Sequence, residues 1–362
     1  MKRLGLLTGG GDAPGLNAVI RAVVKTACND FSWDIVGIQD GFDGLLAADT
    51  QRAVVLTPAA VRGLVGRGGT ILGAANRGNP FARKVIRDGQ EMVEDISDQV
   101  ELGVRRLGLD GLIVVGGDGT LRVAQELIGR FGLPIVGVPK TIDNDLGGTD
   151  VTFGFDTALG VATDALDRLH TTAESHHRVM VLELMGRDAG FIALHAGVAG
   201  GADAILIPEI PFDIEVVCAQ VRQREASGRR FSILAVSEGA RPAGGSQSFQ
   251  RLGDVVSTAR LGGIGQQVCT MIEHLTGKET RVTVLGHLQR GGSPSAFDRW
   301  LATRFGAAAA RLAGQGNWGR MVGLRGQAIV DVPLAEAIAV PKRVDPEGEA
   351  VRTARGLGIV FG

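Results

Sequence analysis

The chain has 362 residues, 44% hydrophobic and 21% charged, a globular composition that argues against disorder and leaves room for about two domains. A net charge of -1 and a pI of about 6.6 give no sign of a nucleic-acid partner. Cys28, Cys218 and Cys269 are too few and too scattered for a disulfide framework or a zinc site, and no apolar run reaches the roughly 18 residues of a membrane span.

Leu4 to Thr8 is a short apolar strand running into Gly9-Gly10-Gly11-Asp12-Ala13-Pro14-Gly15, and the helix that follows carries Val19, Ile20, Val23 and Val24. The spacing from Gly10 to Gly15 imitates a P-loop, but Leu16-Asn17 stands where Lys-Ser/Thr belongs, so the chain is not a P-loop NTPase. Because strand and turn begin at once, no signal peptide is expected and the cytoplasm is the expected compartment. Ile35 to Ile38 reads as the next strand, Asp40 to Gly44 as a turn, and Arg67 to Gly73 as a glycine-flanked segment leading to Asn76-Arg77-Gly78. From Glu91 to Leu107 the pattern predicts a helix, with acids early and Arg105-Arg106 at its end to match the macrodipole.

The apolar run Leu112 to Val115 ends in Gly116-Gly117-Asp118-Gly119-Thr120, and a helical pattern starts directly afterwards. Such a junction offers unpaired N–H groups and a positive helix end to an anion. A second run, Ile135 to Val138, ends in Pro139-Lys140-Thr141-Ile142-Asp143-Asn144-Asp145, a cation and two carboxylates at the end of a strand. Successive parallel strands deliver their loops to the same sheet edge. A phosphate cradle and a carboxylate pair then face one cleft, and phosphoryl transfer is the expected chemistry.

Further on, a helix from Asp156 to Leu169 precedes a strand, Arg178 to Leu184, that leads to Met185-Gly186-Arg187. Strands at Ala204 to Ile207 and Phe231 to Val236 flank a helix starting at Asp213, and the second strand ends in Ser237-Glu238-Gly239. An exposed loop is expected over Arg241 to Gln250, then a helix over 262–275 and a strand from Arg281 to Leu285. Gly286-His287-Leu288-Gln289-Arg290-Gly291-Gly292 and a helix from Ser295 to Leu312 follow. Repeated βα units predict an α/β protein of doubly wound type.

The series LTGGGDAPGLN, GGDGT, PKTIDND, MGR and GHLQRGGSPSAFDR resembles the 6-phosphofructokinase family along almost the whole chain. GGDGT alone is shared with NAD kinases and lipid kinases, which leave MGR and GHLQRGG unexplained. A non-catalytic sugar-phosphate-binding subunit would lack Asp118 or Asp143, and both are present. The resemblance implies two doubly wound three-layer domains with the active site in the cleft between them. The donor domain would span residues 1–154 and about 289–339, the fructose 6-phosphate domain 155–288 and about 340–362. The implied glycolytic reaction moves a phosphoryl group to the sugar's 1-hydroxyl, giving fructose 1,6-bisphosphate.

On the same resemblance Asp143 is the general base, with Lys140 and Arg187 also catalytic, and Asp118 is the Mg²⁺ ligand, with Asp145 a second candidate. Gly11, Gly117, Gly119 and Thr120 line the donor phosphates, and Arg77 takes a contact on the adenine side. Thr141, Met185, Gly186, Arg187, Glu238, His287 and Arg290 meet the substrate. Arg178 and Arg281 reach the sugar phosphate from a neighbouring subunit, which implies a homo-oligomer, usually a tetramer. Gly119 is the ATP-type residue and Lys140 the pyrophosphate-type residue of this family. ATP is the expected donor and pyrophosphate the alternative, which would make the reaction reversible. Arg21 and Lys25 match basic effector ligands, whereas Pro58, His170 and Ser227 depart from them, so weak or altered control by ADP and phosphoenolpyruvate is expected.

Overall fold

Leu4, Leu6 and Leu7 are fully buried although they alternate across a strand, which requires a sheet covered on both faces. In the computed structural model, which describes residues 2–46, 50–75, 78–87, 90–251 and 260–362, that strand is β1 (Arg3–Thr8). It is followed by α1 (Leu16–Phe31), β2 (Asp34–Ile38) and an antiparallel edge strand, β3 (Ala53–Leu56). A two-stranded ribbon, β4 (Arg83–Arg87) and β5 (Gln90–Glu94), precedes α2 (Ser97–Arg106), β6 (Gly111–Gly116), α3 (Asp118–Phe131) and β7 (Ile135–Pro139). Next come α4 (Phe155–His176), β8 (Val179–Leu184), α5 (Phe191–Ala199), β9 (Ala204–Leu206), α6 (Ile214–Ala226) and β10 (Ser232–Ser237). The short pair β11 (Phe249–Arg251) and β12 (Arg260–Leu261) leads to α7 (Ile264–Thr276) and β13 (Thr280–Val284). The chain ends with α8 (Ala296–Gln315), the hairpin β14 (Arg320–Arg325) and β15 (Ala328–Pro333), α9 (Leu334–Ala337) and α10 (Glu349–Gly356).

The described elements form two units, one of the described residues up to Asp156 plus Arg290–Pro341, the other of residues 157–251 and 260–289 plus Lys342–Gly362. The first is built on a seven-stranded sheet in the order β15-β14-β7-β6-β1-β2-β3. One face packs on α1 and α8, the other on α2, α3 and α9. Gly306 lets α8 lie close on α1, since a Cβ there would sit 2.7 Å from the Val19 carbonyl. From β1 the chain moves first to β2 on one side and later to β6 on the other, so the strand order reverses between β1 and β6. In an open α/β sheet the crevice at that reversal, outside the strand carboxyl ends, is where ligands bind.

The second unit holds a four-stranded parallel sheet, β13-β8-β10-β9. Its strands pack against α6 and α7 on one face. On the other, Gly197 of α5 brings the helix onto Ile205 and Ala235. Both sheets are thus the middle layer of three, the doubly wound α/β class expected.

The helix expected from Glu91 is not there: Gln90–Glu94 is a strand paired with Arg83–Arg87, and α2 begins only at Ser97. Asp95 causes the break. Its carboxylate accepts from the Ser97 N–H at 2.9 Å and the Ser97 hydroxyl at 2.6 Å, and a side chain that bonds the backbone two residues on competes with helix continuation.

Candidate active site

Three glycine-rich or polar loops leave the first sheet at one level. Thr8 pairs with Val115, and Gly116 with Pro139. The loops after β1, β6 and β7 therefore open at the same edge, beside the strand-order reversal. Their glycines have different causes. A Cβ on Gly9 or Gly116 would strike the Thr120 side chain, at 2.6 and 2.4 Å, so Thr120 is wedged between the two strand ends. A Cβ on Gly11 would stand 2.9 Å from the Arg290 guanidinium. Gly119, by contrast, has nothing among the described residues within 4 Å of that position. It lies in the first turn of α3, where glycine is about 1 kcal/mol worse than alanine, and no neighbour among the described residues requires it.

The loop after β7 is almost wholly buried: Lys140 is 3% exposed and Asp143 5%. It is braced from behind. The Thr152 hydroxyl donates to the Thr141 carbonyl at 2.8 Å, and Asn144 Oδ1 accepts from the Thr152 N–H at 3.1 Å. Within the loop the Asp143 N–H donates to the Thr141 hydroxyl at 3.0 Å. Such bonds fix the carboxylates before any ligand arrives.

Lys140 Nζ donates to the Gly11 carbonyl, tying the third loop to the first. Burial, then the neighbouring Arg290 charge, push the Lys140 ammonium down to about 8, against the pull of Asp143, Asp12 and Asp145. Asp145 is displaced the other way, up to about 6, by burial, then by Asp143 and also by Asp118. Asp145 thus feels the charges of both Asp143 and Asp118. One oxygen of Asp145, Oδ1, is buried and has no hydrogen-bond partner among the described residues. A raised, incompletely satisfied carboxylate beside two others fits a divalent cation. No ready-made cage of three or more such side chains exists among the described residues, but Mg²⁺ asks only for one or two carboxylates, with water and phosphate oxygens completing its shell. Asp118, the residue expected to hold that ion, is half-exposed and accepts from Arg122 Nε at 2.8 Å, while Arg122 also donates to the Ile338 carbonyl.

Arg290, expected at the sugar phosphate, lies in the first unit and donates to the Asp12 carbonyl at 3.0 Å. Asp12 and Arg122 were not singled out in the sequence, although Asp12 sits within the first glycine motif. Arg77 lies outside the described residues.

In the second unit the expected substrate residues divide between the two ends of the sheet. Met185, Gly186 and Arg187 follow the carboxyl end of β8, Glu238 that of β10, and the exposed His287 that of β13. The Arg187 N–H donates to Glu238 Oε1 at 3.3 Å, and Arg187 holds a left-handed φ of 50°, strain of the kind concentrated at binding sites. Gly239 permits this contact: a Cβ there would lie 1.8 Å from the Arg187 carbonyl. Arg178 and Arg281 are at the amino ends of β8 and β13. Both grip Glu279, Arg178 at 2.9 Å and Arg281 at 2.5 Å. Seven residues of strand rise separate Arg178 from Met185, on the order of 20 Å.

Residues 3–313 match the family described as Phosphofructokinase. The chain is 58% identical to an ATP-dependent 6-phosphofructokinase of Chloroflexus aggregans, over 100% of this chain and 98% of that protein. It is 53% identical to a pyrophosphate–fructose 6-phosphate 1-phosphotransferase of Streptomyces coelicolor, over 95% of this chain and 96% of the other. The crystal structure of Pichia pastoris phosphofructokinase in the T-state superposes with a TM-score of 0.80 at 31% identity, covering 93% of this chain and 35% of that longer one.

Proposed function

This chain belongs to the phosphofructokinase family, and on that premise we propose that it transfers the γ-phosphoryl group of ATP to the 1-hydroxyl of fructose 6-phosphate. The observation that carries this is the cluster of Lys140, Asp143 and Asp145 on a braced loop, level with the glycine loops after β1 and β6. Asp143 accepts the hydroxyl proton as the new O–P bond forms and the bond to the ADP leaving group breaks. Lys140 supplies positive charge to the moving phosphoryl group, in a dry setting where that charge counts for more than in water. Asp118 and Asp145 are the carboxylates available to Mg²⁺, which supplies charge neutralisation of the donor oxygens when bound. Gly11, Gly117, Gly119 and Thr120 face the donor phosphates, and Arg187, Glu238 and His287 the sugar phosphate. The first unit takes the donor and the second the acceptor.

ATP is preferred because Gly119 keeps open a space that nothing among the described residues fills. Pyrophosphate is the second reading, favoured by Lys140, a buried cation already at the donor loop. Turnover with ATP against pyrophosphate, at equal fructose 6-phosphate and Mg²⁺, tests the choice: ATP is expected to win, and faster turnover with pyrophosphate moves the chain to the second reading. An Asp143→Ser variant should keep its affinity for fructose 6-phosphate while kcat falls by about 10²–10⁴. Unchanged turnover would remove Asp143 from the mechanism.

A further inference from the structure

A pocket of about 390 Å³ in the second unit is lined by Asp188, Arg241, Ser246, Gln247, Phe249 and Arg343, none of which is used in the reaction above. Its wall is built. The Phe212 N–H donates to the Arg241 carbonyl at 3.0 Å, the Ala243 N–H to the Phe212 carbonyl at 2.8 Å, and the Gly245 N–H to the Pro242 carbonyl at 2.9 Å. Gln247 Nε2 donates to Asp188 Oδ1 at 3.0 Å and to the Gly239 carbonyl at 3.2 Å, which partly offsets the one negative charge on the lining. Arg343 stands near Glu209, but that carboxylate already accepts from the Gly190 N–H at 3.0 Å and the Val344 N–H at 2.9 Å. Arg241 has no carboxylate partner among the described residues, although it projects from a loop pinned by these backbone bonds. Two guanidinium groups and a hydroxyl around one small cavity make a donor set for phosphate oxygens, and the volume lies at the small end of ligand sites.

We propose that this pocket binds a phosphate group, either the free ion or the monoester of a small metabolite, separately from the donor and sugar sites. Equilibrium dialysis of the full-length protein against radiolabelled inorganic phosphate tests it. At saturation Arg241→Gln and Arg343→Gln should each bind one phosphate fewer per chain than the parent, with kcat for phosphoryl transfer changed less than about twofold. Equal phosphate counts in the parent and Arg241→Gln overturn the proposal. Adding glycerol 3-phosphate as competitor separates the sources: displacement of the phosphate that only the parent binds identifies a site that accepts monoesters, and its retention one that prefers the free ion. Because turnover is measured on the same variants, failure here leaves the kinase assignment standing, and failure of that assignment leaves the phosphate count to be read by itself.

Discussion

Lys140 and Asp145 are displaced toward each other on the pH scale, the ammonium to about 8 and the carboxyl to about 6. Each shift has a sign that activity must follow. Below about 6 Asp145 gains a proton and loses the charge a cation needs; above about 8 Lys140 loses the proton that makes it a counter-charge. The free enzyme should therefore show a bell-shaped profile of kcat/KM between those limits, and Lys140→Met should abolish the alkaline limb and leave the acidic one. An alkaline limb unchanged in that variant would assign it to another group. A second residue-scale consequence concerns Gly239. Alanine there would press a methyl carbon into the Arg187 carbonyl, 1.8 Å away, and something must shift. KM for fructose 6-phosphate should rise about 10-fold or more, with the KM for the donor little changed; equal effects on both would indicate general damage instead. Nothing in Ser237-Glu238-Gly239 reveals this, because the partner carbonyl is far away in sequence and only the strand order brings it near.

At the scale of elements, the loops proposed to carry the chemistry are readable where the cause is local. Strand, glycine turn and helix follow one another directly at Leu4 to Val24 and at Leu112 to Gly119, and β1, α1, β6 and α3 lie there. Glu91 to Glu94 has a helical pattern but is a strand because its register is imposed from outside, by pairing with Arg83–Arg87 and by the Lys84–Glu91 ion pair at 3.0 Å. Asn17 shows the same limit. In the sequence it only marks a failed P-loop; in the structure it is 1% exposed, donates to the Arg67 and Gly68 carbonyls, both at 3.1 Å, and accepts from the Ile71 N–H at 2.9 Å. It thereby fastens the glycine segment 67–71 onto α1. Asn17→Ala would remove three part-buried hydrogen bonds to backbone groups, each contributing about 0.5–1.5 kcal/mol, and should lower the thermal midpoint by several degrees. A variant as stable as the parent would mean that the loop finds other partners at no cost.

For the whole molecule the decisive geometry is the split of the basic residues. Arg187 and His287 stand at the carboxyl end of the second sheet and Arg178 and Arg281 at the amino end, separated by a strand rise on the order of 20 Å. A sugar phosphate spans a fraction of that distance, so the two pairs of one chain cannot hold one phosphate. If all four residues serve fructose 6-phosphate, Arg178 and Arg281 serve the site of another copy, and every active site is shared. The consequence is complementation. Asp143→Ser damages the site in its own chain, whereas Arg178→Ala with Arg281→Ala damages a neighbour's. Each variant alone should be nearly inactive. Mixed in equal amounts and dissociated and reassembled together, they form some sites with an intact Asp143 from one chain and intact arginines from the other, and in a random mixture about a quarter of the sites are whole. Activity near a quarter of the parent's would establish the shared site. If the mixture stays as inactive as its components under conditions where reassembled parent recovers, Arg178 and Arg281 act within their own chain, and their grip on Glu279 is then their whole role.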